Sequence, residues 1–224
     1  MKKYAVIVGG GLGSRMGQTT PKQFLLLDKK PIIWQTVQRF VEAYRDTEII
    51  VVLPEDWLDA GRDILSEFNG SVIMKFCAGG ETRFHSVQRG LKFVKEESIV
   101  FIHDAVRCLL SVSLIHRCYQ KALENGSAIP AIDAQDSVRL VEPKGNRSID
   151  RHLVKLVQTP QTFKSEIILR AYQQQFKESF TDEAMVVEAM GESVNLVAGE
   201  AQNIKITHPF DLEVARQFLS AQPH

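Results

Sequence analysis

The chain has 224 residues, 44% hydrophobic and 24% charged, with 27 Lys plus Arg against 27 Asp plus Glu. That length suits one α/β domain with its own core, and the balanced charge excludes a general polyanion binder, which needs a basic stripe. Three cysteines without CxxC spacing, Cys77, Cys108 and Cys118, read as reduced thiols of a cytoplasmic protein. Neither nucleic acid nor a membrane is an expected partner, because no apolar stretch approaches the roughly 18 residues of a spanning helix.

In chain order, the first apolar run, Tyr4 to Val8, ends at three glycines, too early for the core of a signal peptide. Further runs rich in β-branched residues at 48–53, 71–76, 98–103 and 127–132 predict buried strands. Helical spacing lies between them. In 31–44, Ile33, Val37, Phe40, Val41 and Tyr44 share a face and Pro31 suits a first turn. The pattern is weaker at 57–68, returns at 85–95 with Val87, Leu91 and Val94, and recurs at 111–123 behind serine caps. This alternation predicts a Rossmann-like α/β fold: a mostly parallel twisted sheet with helices on both faces.

Segment 136–157 breaks the alternation. Two β-like halves flank a Pro-Lys-Gly-Asn turn and predict a projecting hairpin arm. An isolated hairpin is only marginally stable, so the arm is expected to pack on a partner. Helices are predicted near 163–176 and 182–190, a strand near 193–198 and a last helix from 209. No repeat or linker interrupts the sequence, so residues 1–224 read as a single domain with an arm at about 136–157.

Parallel sheets bind ligands beyond the carboxyl ends of their strands, and the least ordinary residues lie there. They are the glycine run after the first strand, GGETR after the third and HDAVR after the fourth. The glycine run, YAVIVGGGLGSRMGQTTPK, fails the dinucleotide fingerprint GxGxxG, because Ser14 and Met16 stand where the last glycine would fall. It fails the P-loop as well: Gly9, Gly10, Gly11 and Gly13 are followed five residues on by Ser14, Arg15, Met16 and Gln18. What remains is bare backbone whose N–H groups can nest an anion. Arg15 forks phosphate oxygens and Lys22 supplies a point charge. Such a cluster suits a triphosphate, although a plain strand–helix turn with exposed charges has the same spacing.

Six blocks in order, GGGLGSRMG…PKQF, GGETRFHSVQRGL, HDAVR, VQTPQTF, TDEAMVVEAMG and NIKIT, resemble the 2-C-methyl-D-erythritol 4-phosphate cytidylyltransferase family over nearly the whole chain. The first block alone is similar to many sugar and alditol phosphate nucleotidyltransferases. The resemblance implies transfer of CMP from CTP to 2-C-methyl-D-erythritol 4-phosphate with release of pyrophosphate, with a divalent cation, Mg²⁺ or another, as cofactor. It implies Arg15 and Lys22 as catalytic cations, and Gly9, Gly10, Gly11, Gly13, Gly80, Glu81, Ser86 and Asp104 around CTP. Asp104 is also the implied metal ligand, as befits a carboxylate at the end of a buried strand. Arg107, Arg151, Thr181 and Lys205 are the implied acceptor-binding residues. In the family the arm swaps across a homodimer, so Arg151 is implied to act in the partner's site.

The residues read by themselves keep simpler roles open. Ser86 also suits a helix start, Thr181 a cap followed by the first-turn acids Asp182 and Glu183, and Arg151 a solvated strand face. His103 reads as structural, with no metal-like partner spacing. Three departures from the family pattern stand out: Gly9 and Gly10 for Ala-Ala, Val106 and Cys108 for Ala and Pro, and Gln202 for an acid. A ribitol 5-phosphate cytidylyltransferase, or one for another alditol phosphate, shares most of these motifs. A non-catalytic nucleotide-binding regulator would share the glycine run, and a dehydrogenase fits least.

Overall fold

The computed structural model describes residues 1–11 and 20–220. Strand β1 (Lys2–Val8) is followed by the short pair β2 (Leu26–Leu27) and β3 (Lys30–Pro31), then helix α1 (Ile32–Ala43). Next come β4 (Thr47–Leu53), α2 (Leu58–Ile64), β5 (Met74–Ala78), α3 (Arg83–Leu91) and β6 (Ser98–Asp104). Helix α4 (Val112–Asn125) leads into β7 (Ser127–Asp133), and a hairpin follows, β8 (Val138–Glu142) and β9 (Gly145–Ile149). The chain closes with β10 (Lys155–Val157), β11 (Gln161–Lys164), α5 (Ser165–Ala171), α6 (Glu183–Glu188), β12 (Leu196–Ala198) and α7 (Pro209–Ser220).

The main sheet runs β10-β7-β11-β6-β1-β4-β5, with β12 also on β7. Its centre is parallel: β1 lies between β4 and β6, and β5 extends β4. Residues of β1 alternate between two cores. Ala5 and Ile7 pack with Ile33, Val37 and Phe40 of α1 and Leu114 and Cys118 of α4. Tyr4 and Val6 pack with Phe84 and Val87 of α3, Ile168 of α5 and Val186 of α6. Burial on both faces is why these strands are apolar at nearly every position. The mostly parallel sheet covered on both sides is the predicted fold.

Three stretches differ from the sequence reading. The predicted strand 71–76 is β5, displaced to 74–78, because Gly70 (φ 84°) and an Asn69–Val72 bridge use the preceding residues in a turn. The predicted helix 163–176 begins as β11, antiparallel to both β6 and β7. Phe163 fills a fully buried slot there, and the tertiary position overrides the helical spacing of the residues that follow. The predicted arm divides: β8 and β9 pair with each other, whereas β10 joins the main sheet antiparallel to β7.

Candidate active site

The site forms at the carboxyl ends of β6, β1, β4 and β5, which lie side by side in that order. Gly9 N–H donates to the Val52 carbonyl at 2.8 Å, Gly79 N–H to Leu53 at 2.7 Å and Ala105 N–H to Val8 at 2.9 Å. The post-strand turns are thus continuations of the sheet ladder, and their backbones are fixed before any ligand arrives. The turns also touch. A Cβ on Gly10 would lie 2.8 Å from Ser86 Oγ, and one on Gly79 would lie 3.0 Å from the Gly10 Cα. Glycine is needed at this crossing for close approach.

Between the turns lies a cavity of about 440 Å³. Gly9, Gly10, Gly11, Lys22, Gly80, Glu81, Ser86 and Asp104 all line it, which brings together every described residue predicted around CTP and one of the two predicted catalytic cations. Gly13 and Arg15 lie outside the described residues. Ser86 Oγ accepts from Gly80 N–H at 3.0 Å and donates to the Thr82 carbonyl at 3.0 Å. It therefore holds the second glycine turn from within α3, which starts earlier than predicted. Thr82 is the cap, accepting from His85 N–H. Gln23, buried beneath the first glycine turn, donates to the carbonyls of Gly9 (2.6 Å) and Gly11 (3.4 Å).

A second cavity of about 200 Å³ adjoins the first, lined by Arg107, Thr181, Asp182 and Gln161 among others. Arg83, Asp104 and Lys205 line both cavities. Asp104 is buried, and its carboxylate meets three cations: Lys205 Nζ at 2.9 Å, Arg83 Nε at 3.2 Å and Arg107 Nε at 3.6 Å. Burial alone would raise its pKa, but Arg83, Lys205 and Arg107 outweigh burial and hold it well below the usual carboxylate range.

A hydrogen-bond relay fixes this acid. Asp104 N–H donates to Thr159 Oγ1 at 3.1 Å, the Thr159 hydroxyl to His103 Nδ1 at 3.0 Å, and His103 Nε2–H to the Arg107 carbonyl at 3.1 Å. The carbonyl can only accept, which sets the direction. Burial pushes His103 down to about 3, so the ring is neutral and serves the structural role read from its sequence. Arg107 also donates to the Asn203 carbonyl at 2.8 Å.

Thr181 lines the second cavity but does not cap α6; Asp182 does, accepting from Met185 N–H at 2.9 Å. Glu183 is no solvated first-turn acid either, because it is fully buried against Arg83. Arg151 lines neither cavity. It is exposed at the base of the arm and donates to the Gln135 carbonyl at 2.8 Å. Of the departures, Val106 and Cys108 pack with Leu27, Ile32 and Ile206, and Gln202 donates to Glu200.

Arg83 and Gln23 are the residues that the sequence reading passed over. Both sit inside quoted blocks, but their partners lie on other elements. Among the described residues, no group of three or more His, Cys, Asp or Glu forms a metal cage. A lone buried carboxylate beside a phosphate-sized cavity still fits Mg²⁺, which binds through one or two carboxylates plus substrate phosphates. Nor, among the described residues, is any helix long and apolar enough to cross a membrane.

The sequence profile of the 2-C-methyl-D-erythritol 4-phosphate cytidylyltransferase family matches residues 4–221. A relative of that description from Bacteroides fragilis is 44% identical over 219 residues, spanning 98% of this chain and all of the relative. One from Porphyromonas gingivalis is 41% identical over 221 residues, 98% and 99% of the two chains. The crystal structure of 4-diphosphocytidyl-2C-methyl-D-erythritol synthase from Anaerococcus prevotii superposes with a TM-score of 0.85 at 28% identity, covering 98% of each chain. That of the Thermus thermophilus cytidylyltransferase superposes at 0.76 with 30% identity, covering 99% of this chain and 100% of the other. The chain belongs to the 2-C-methyl-D-erythritol 4-phosphate cytidylyltransferase family.

Proposed function

We propose that this enzyme transfers CMP from CTP to 2-C-methyl-D-erythritol 4-phosphate, releasing pyrophosphate and forming the CDP-alcohol. The observation that carries the reading is the pair of adjoining cavities with one charged wall, Arg83, Asp104 and Lys205. A reaction that joins two phosphorylated substrates needs such a wall, with both phosphates brought to it.

In this reading the larger cavity takes CTP. The first glycine turn, beyond the ladder-bonded Gly9, offers backbone N–H groups to the triphosphate, and Gly80, Glu81 and Ser86 surround the base. An oxygen of the acceptor phosphate attacks the α-phosphorus. The new phosphorus–oxygen bond forms as the bond to the β-phosphate breaks, and pyrophosphate leaves with the electron pair. A phosphate monoester is already nucleophilic at neutral pH, so the chain supplies orientation and charge rather than a base. Lys22, with Arg15, neutralises the charge that grows on the reacting phosphates. Arg107, Thr181 and Lys205 seat the acceptor, and Lys205 exchanges its contact with Asp104 for the acceptor phosphate. Asp104 would hold a divalent cation together with the triphosphate, and when bound that cation screens phosphate charge. The neutral His103 relay keeps Asp104 and Arg107 in place.

We further infer a single nucleotidyltransferase domain over 1–224, with a dimerisation arm at about 136–157 that carries Arg151 to the partner's site. Three free thiols, Cys77, Cys108 and Cys118, support a cytoplasmic enzyme.

The test is pyrophosphate release from CTP with methylerythritol phosphate and, separately, ribitol 5-phosphate. The reading expects turnover with the first and at most a small fraction of it with the second. Preference for ribitol 5-phosphate would reassign the acceptor, and CTP binding without pyrophosphate from either would make the chain a nucleotide-binding regulator.

A further inference from the structure

An acid in the first turn of a helix ordinarily faces solvent, where it complements the helix dipole. In α6 that place is already served by the Asp182 cap. Glu183, one residue on, is fully buried, and a buried carboxylate is costly unless paired and hydrogen-bonded. Both of its oxygens are occupied. Oε1 accepts from Arg83 Nη1 and from the Tyr172 hydroxyl at 3.1 Å, and Oε2 accepts from Arg83 Nη2 at 3.0 Å.

The same guanidinium turns its third edge to Asp104, Nε to Oδ1 at 3.2 Å. Arg83 is thus forked on one acid and bridged to another, which fixes the plane of the group as well as its place. Around it the scaffold is stiff. Phe84 stacks on Tyr172 with centroids 4.6 Å apart, and Gln88 donates to the Tyr172 carbonyl at 2.9 Å. Burial works against the Arg83 charge, but Glu183 and Asp104 outweigh it and hold its pKa well above the ordinary value.

The three cations on Asp104 therefore differ in freedom. The Lys205 side chain is 40% exposed, that of Arg83 26% and that of Arg107 14%. Lys205 has the room and the flexible stem to leave Asp104 for a phosphate; Arg83, held by Glu183, does not.

We propose that Glu183 is a positioning residue: through Arg83 it fixes the wall shared by the nucleotide and acceptor cavities, so its loss weakens both substrates together. The inference rests on the cytidylyltransferase reading above for its kinetic signature, but not for its structural one. Without the carboxylate, Arg83 regains rotamer freedom and keeps as counter-charge only Asp104, already shared with Lys205 and Arg107. Both cavities then lose the same wall.

The experiment compares the full-length protein with Glu183→Gln, Arg83→Ala and the double variant. KM for CTP and for methylerythritol phosphate, kcat and the thermal midpoint are measured for each. Glu183→Gln is expected to raise both KM values about tenfold, and the double variant to be no worse than Arg83→Ala alone, because contacting residues couple. A lowered melting midpoint with both KM values unchanged would overturn the proposal, as would a rise in one KM only or full multiplicativity. If Glu183→Gln does not fold, Tyr172→Phe removes one bond to the same carboxylate, and a few-fold rise in both KM values is expected; no rise overturns the proposal. A ligand-free arm reads the Arg83 Nε–H resonance by ¹⁵N NMR. It should exchange slowly in the parent and be lost or fast in Glu183→Gln or Tyr172→Phe, and an unchanged signal overturns the proposal. Absence of pyrophosphate from the parent enzyme would instead defeat the functional reading, with the NMR arm still deciding the role of Glu183.

Discussion

At the scale of single residues, the site is governed by competition for one carboxylate. Asp104 stands among Lys205, Arg83 and Arg107, and these partners are not equivalent. A lysine is a compact charge on a flexible stem, whereas an arginine fork loses its geometry when it moves. Lys205 is accordingly the cation suited to change partners during turnover. Lys205→Met keeps the stem and removes the charge. It should raise KM for the acceptor roughly 10- to 100-fold, the range for a lost hydrogen bond to a charged group, and change KM for CTP far less. Steady-state kinetics with each substrate varied in turn reads this directly. A larger effect on CTP would move Lys205 to the nucleotide side of the wall.

At the scale of elements, the ends of helices and strands decide what the sequence could disclose. Helix α4 has a serine cap at Ser111, legible from its sequence, and closes on Gly126 at φ 86°. A Cβ at Gly126 would meet Ile167 Cδ1 at 2.8 Å, so steric and backbone costs act together. Gly126→Ala should destabilise the protein by about 1–2 kcal/mol, lowering the melting midpoint by roughly 2–8 °C; a shift below 1 °C in a thermal scan would contradict this. Strands β1, β4, β6 and β7 were readable because each is buried on both faces. The carboxyl ends of β1, β5 and β6 then point to the glycine turns and Asp104, which do meet. Strand β11 was hidden: it has four residues, and only its slot between β6 and β7 makes it a strand. The Arg83–Glu183 pair was hidden for a different reason. Its members are 100 residues apart, and Glu183 carries a local explanation, a first-turn acid, that the tertiary structure discards. Gln23 likewise acts on carbonyls more than ten residues upstream.

At the scale of the whole molecule, the proposed dimerisation arm is where a second chain is called for. Strands β8 and β9 pair only with each other among the described residues, and a lone hairpin in water is marginal. Val141 and Leu153 are 80% and 81% exposed along it and its base, apolar side chains that the proposed dimer would cover. Arg151 sits at the same base, outside both cavities. Its proposed role at the acceptor phosphate therefore requires a second chain, and complementation tests that requirement. An Arg151→Ala chain keeps its own Lys22, and a Lys22→Ala chain keeps Arg151, so each homodimer lacks one charge at both sites. In a two-fold pair made of one chain of each kind, one site combines the intact Lys22 with the partner's intact Arg151, and the other lacks both. Random exchange of equal amounts makes about half the pairs mixed. With one of two sites intact in each, recovery should approach roughly a quarter of the parent activity. If mass spectrometry shows mixed pairs and activity stays at the level of the separate variants, Arg151 does not reach the partner's site. The arm would then be an assembly element alone.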